Sequence, residues 1–126
     1  MKFKTLMIIK AIVCIVTGPI LLFFPGKLFA LVGGTFVPAA AITTREYGSA
    51  LLGNFMLAWF GRNAEASTTR RAIILDLFVY DAVAFFALLP IQFAKGMNQF
   101  GWGIVATYLF FALTFGYFLL PQKQSA

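Results

Sequence analysis

Histidine is absent from this chain, cysteine occurs once, at position 14, and only four residues are acidic. The first absence removes a common ligand of haem and catalytic zinc. A single cysteine excludes an internal disulfide and a thiolate metal cluster. The four acids are too scattered for a carboxylate cage, so no metal and no other cofactor is expected. Charged residues make up 11% of the chain, against about 25% in a soluble domain. There is no nucleophile–base pair and no phosphate-cradling glycine motif, and Cys14 has no histidine to activate it. The expectation is a non-enzymatic protein.

Apolar residues fill the space those groups leave. They make up 61% of the sequence, mean hydropathy is +0.89, and phenylalanine alone occurs 16 times. We read the phenylalanines as lipid-facing surface or core filler. Four long apolar segments account for nearly all of residues 1–126, which predicts one integral membrane domain without linkers. The fold class expected is all-α: a four-pass transmembrane helix bundle. The helices are placed at about residues 6–24, 44–60, 69–93 and 100–120, with an interfacial segment at about 25–43.

Local signals set these bounds. Segment 1 follows Lys2 and Lys4, and Pro19 inside it predicts a kink. Its apolar run is longer than a signal-peptide core and no A-x-A site follows, so we expect it to be retained. Pro25 opens a short interfacial helix that Gly33 and Gly34 close. Thr43 and Glu46 have capping-box spacing at the start of segment 2. Gly48, Ser49 and Gly53 give that segment a small-residue face suited to close helix contact. Ser67, Thr68 or Thr69 caps segment 3, which Pro90 kinks or ends, and Pro121 stops segment 4.

The net charge of +6 does not indicate nucleic acid, because the basic residues flank apolar segments and form no stripe. They report orientation. Four crossings collect Lys2, Lys4, Lys10, Arg62, Arg70, Arg71 and Lys123 on one side, and Lys27, Arg45 and Lys95 on the other. That bias predicts both termini in the cytoplasm of a cell with its multi-pass protein in the cytoplasmic membrane. Trp59 and Trp102 then fall at opposite interfaces.

Polar residues inside the spans are the candidate site, because each costs free energy in hydrocarbon unless partnered. At about 1.5 Å per residue, Asp81 and Asn54 lie near the midplane, and Asp76 and Lys10 share a level closer to the cytoplasm. The expected pairs are Asp81 with Asn54 and Asp76 with Lys10, with Thr17, Thr107 and Tyr108 completing a network. Two alternatives stand beside these pairs: Lys10 snorkels to the surface, or Arg71 reaches Asp76. Arg45, Glu46 and Tyr47 form a second cluster at the outer mouth, either a helix cap with interfacial anchoring or a site for a small polar ligand or lipid headgroup.

The stretch REYGSALLGNFMLAWFGR, followed by TTRRAIILDLFVYDAV and GMNQFGWGIVATYLFFALTFGYF, carries three spacings. They are Arg-x-x-Gly at Arg45–Gly48, Trp-x-x-Arg at Trp59–Arg62, and Asn-x-x-Gly-Trp beginning at Asn98. In these the chain resembles uncharacterised small bacterial four-helix integral membrane proteins over residues 5–120. The resemblance implies the architecture and transfers no functional residue.

Three functions fit this reading. The first is a non-enzymatic accessory or scaffold subunit in the lipid bilayer, self-associating or part of a larger membrane complex. The second is a small oligomeric transporter, channel or proton-coupled carrier using Asp81 and Asn54. The third is a lipid- or quinone-binding membrane protein. A solid bundle would favour the first, a polar cavity reaching the midplane the second, and an apolar cavity opening sideways the third.

Overall fold

The computed structural model describes residues 1–121. Its elements are α1 (Phe3–Phe23), α2 (Pro25–Leu31), α3 (Ala40–Gly61), α4 (Thr68–Phe93) and α5 (Phe100–Leu119), with no strand among the described residues. Three of these, α1, α4 and α5, are long and apolar enough to cross a membrane. Helix α3 has 22 residues, ample for a span by length, but Thr43, Thr44, Arg45, Glu46 and Ser49 make its first half more polar. The tail carrying Lys123 lies outside the described residues.

Turn chemistry sets the helix ends. Helix α2 starts with Pro25 at its first position, where a missing N–H costs nothing. It closes in a Schellman motif: the Gly33 N–H donates to Ala30, the Gly34 N–H to Phe29, and Gly33 adopts φ +76°. Helix α4 ends in the same way, with N–H bonds from Lys95 to Gln92 and from Gly96 to Ile91. Lys95 takes the left-handed position there, at φ 60°. Ser67 caps α4 by accepting from the Arg70 N–H at 3.1 Å. Helix α1 runs unbroken through Pro19, and α4 runs three residues past Pro90.

The predicted capping box does not form. Helix α3 begins at Ala40, four residues earlier than expected, and Thr43 and Thr44 both donate back to the Ala40 carbonyl. The apolar lead-in after Pro38 continued the helix, so the two threonines became first-turn residues instead of caps.

The helices pair closely as α1 with α3 and α4 with α5, and the two pairs meet more sparsely. Glycines make the first pairing possible. A Cβ on Gly48 would lie 2.7 Å from the Gly18 carbonyl oxygen and 2.9 Å from the Leu22 nitrogen. Gly53 has no such neighbour and Ser49 is exposed, so the small-residue face contributes one contact and not three. Two sets of contacts fix which ends lie together. At one end the Arg70 guanidinium sits 3.9 Å over the Phe3 ring, and Arg71 donates to the Leu119 carbonyl. At the other, the Asn98 side chain and N–H donate to the carbonyls of Leu31 and Val32. Helices α1 and α4 therefore run one way, and α3 and α5 return.

The Phe3 end is filled by Phe3, Leu6, Met7, Ala11, Ala58, Ile74, Leu77, Phe111 and Phe115, all buried. In lipid such a layer is stabilised by close packing, since the tails outside are as apolar as the core.

A candidate binding cavity between the helix pairs

Above that apolar layer the two helix pairs separate around a cavity of about 190 Å³, lined by residues from all five helices. Helical spacing explains the α1 wall: Lys10, Cys14, Thr17 and Leu21 recur every three or four residues and share one face. Helix α3 contributes Tyr47 and Leu51, α4 contributes Tyr80 and Asp81, and α5 contributes Ile104, Thr107, Tyr108 and Phe111. Leu28 of α2 lines it from the far end. Thr107 of α5 is exposed, and Val13, Thr17 and Ile104 are half-buried, so the cavity reaches the surface beside α5.

Its polar floor is an ion pair. Lys10 Nζ donates to Asp81 Oδ1 at 2.6 Å, and the two side chains are 3% and 0% exposed. The ammonium also lies 4.9 Å from the centre of the Tyr80 ring and 4.4 Å from that of Phe111, within cation–π range. Asp81 Oδ2 is buried and has no hydrogen-bond partner among the described residues. Beside the pair, three tyrosine hydroxyls form a chain: Tyr80 donates to Tyr47 at 2.5 Å, and Tyr47 is bonded to Tyr108. The chain joins α4, α3 and α5, adding polar contacts between the pairs to the apolar layer that also spans them.

Both predicted pairings are corrected. Lys10 binds Asp81 and not Asp76, and it does not snorkel. Counted from the Phe3–Arg70 contact, Lys10 lies seven residues further along α1 and Asp76 six along α4, so the count along the axis does not exclude that pair. The face was wrong. Five residues separate Asp76 from Asp81, about 140° around a helix, and Asp76 is exposed while Asp81 points inward. Asp81 lies about 6 Å beyond Lys10 along the axis, a gap that the lysine stem spans. Arg71 makes no ion pair with Asp76 among the described residues, and its Nη1 donates to the Leu119 carbonyl.

Asn54 makes no side-chain hydrogen bond among the described residues and does not line the cavity. Leu51 and Phe55 take the inward positions around it. The outer-mouth cluster divides: Arg45 and Glu46 are exposed, and Tyr47 alone turns inward. Thr17, Thr107 and Tyr108 do line the cavity, although Thr107 spends its hydroxyl proton on the Gly103 carbonyl. Sequence reasoning missed Tyr80. Its available signal was adjacency to Asp81 on a helix whose inner face was still undetermined.

Fold and site together define the class: an α-helical protein with three helices apolar enough to span a membrane and a buried ion pair between its helix pairs. The chain matches no protein-family model, no curated protein and no solved structure.

Proposed function

We propose that the protein is a four-pass membrane protein that binds a small amphipathic molecule taken up sideways from the bilayer. The observation that carries this is the cavity itself, with apolar walls, a polar floor and an exposed side at Thr107 of α5. Helix α3 is the fourth crossing, since it runs between the same two ends as α1 and α4. The excess of basic residues at the Phe3 end supports a cytoplasmic position for that end.

The scaffold reading called for a solid bundle, and the cavity weighs against it. A channel or carrier needs a polar path through the molecule. The buried layer from Phe3 to Phe115 lies across any such path, and Asn54 does not face the cavity.

The test is what the protein retains. Protein extracted in mild detergent should carry a small apolar molecule, detected by native mass spectrometry and identified after organic extraction. Ile104→Trp, which narrows the mouth, should fold normally and lose it. Equal retention by both proteins, or none by either, would count against the cavity as a binding site.

A further inference from the structure

The site's hydrogen-bonding capacity narrows the occupant, given the binding function proposed above. Three tyrosine hydroxyls carry three protons, and two hydrogen bonds join them. The Tyr80 and Tyr108 hydroxyls also interact, so the three can satisfy one another within the cluster. Asp81, which also lines the cavity, has in its Oδ2 a buried acceptor without a donor among the described residues. An occupant that satisfies it must donate a proton, as a hydroxyl group does.

Charge narrows it further. Lys10 and Asp81 compensate each other at 2.6 Å. A phosphate head would have to pull Lys10 from Asp81 and leave that carboxylate buried without its cation, which is strongly unfavourable. The occupant's head is neutral. Size and walls supply the last constraint. A cavity of about 150 Å³ lined by apolar side chains takes up benzene, and this one, at about 190 Å³, is walled by the rings of Tyr80, Tyr108 and Phe111. It has room for one substituted ring, with an apolar tail leaving past Val13 and Ile104.

We infer that the cavity binds the hydroxylated ring of a neutral, tailed phenol or quinol, which donates to Asp81 Oδ2. The corresponding quinone has acceptors only. It leaves Asp81 Oδ2 unmet. The site therefore prefers the reduced form of such a pair.

The probes are a decyl-tailed benzoquinol, its quinone and a short-chain phosphatidylglycerol, titrated separately against the purified protein in lipid nanodiscs under anaerobic conditions. The quinol should bind about tenfold more tightly than the quinone, within the range expected for one unmet buried acceptor. In Lys10→Met/Asp81→Asn, which removes both charges together and supplies an amide donor, that preference should shrink to about twofold or less. Equal binding of the two forms to the unmodified protein, or tighter quinone binding, overturns the inference without recourse to any variant. So does a preference that persists in the double variant. Binding of phosphatidylglycerol alone, lost in Ile104→Trp, overturns the inference and leaves the cavity as a binding site. Binding of none of the three overturns the inference, and retention of no small molecule on purification would remove the broader reading with it.

Discussion

Lys10 and Asp81 lie 71 residues apart in sequence and 2.6 Å apart in space, and theirs is the ion pair that joins the α1–α3 pair to the α4–α5 pair. Its energetic consequence is asymmetric. Removing one partner leaves the other charge buried, which costs about 3–5 kcal/mol, whereas replacing both with apolar residues is often neutral. Lys10→Met and Asp81→Leu should each lower the unfolding free energy in detergent by several kcal/mol, and the double variant should recover most of that loss. Additive losses in the cycle would show that the two residues act independently.

The glycines of the α1–α3 contact are not equivalent. At Gly48 a methyl group would meet backbone atoms of α1 at 2.7 and 2.9 Å, so Gly48→Ala should force the helices apart at a cost of about 1–3 kcal/mol. Gly53→Ala meets nothing within 4 Å and should be neutral or slightly stabilising. Thermal unfolding of the two variants in the same detergent separates these outcomes, and a similar melting point for both would contradict the close crossing.

Tyr47 is the middle of its chain. Tyr47→Phe removes both hydrogen bonds, while Tyr80→Phe or Tyr108→Phe removes one. With intramembrane hydrogen bonds averaging about 0.6 kcal/mol, the first variant should lose roughly twice as much stability as either of the others. A larger loss from Tyr80→Phe would mean that the chain is centred elsewhere.

Orientation is open to labelling chemistry. In a Cys14→Ser background, a cysteine at Asn63 should react with a membrane-impermeant maleimide only after the cytoplasmic face is exposed. A cysteine at Gly34 or Gln99 should react in intact cells. Labelling of Asn63 and Gly34 from the same face would exclude a crossing by α3.

The helical class, the number of long segments and most of their ends are legible in the order of residues alone. Apolar run length, Pro25, the Gly33–Gly34 pair and Ser67 act within a few residues of where they stand, so their effect is readable locally. The order of residues also singled out Asp81 and Lys10, because an ionisable residue in an apolar run is conspicuous wherever it points. Tertiary structure decided the partners. Depth follows from counting residues along an axis, and it put Asp76 level with Lys10. Direction is set by how each helix is rotated about that axis, and nearly uniform apolarity around α4 gave no stripe from which to read it. Packing chose the face: it turned Asp81 and Tyr80 inward, left Asp76 outside, and gave Leu51 and Phe55 the positions beside Asn54. The cavity has the same origin. Glycine lets α1 approach α3 closely, the bulk of Tyr47, Tyr80 and Tyr108 separates the pairs, and the space between them exists only once all five helices are in place.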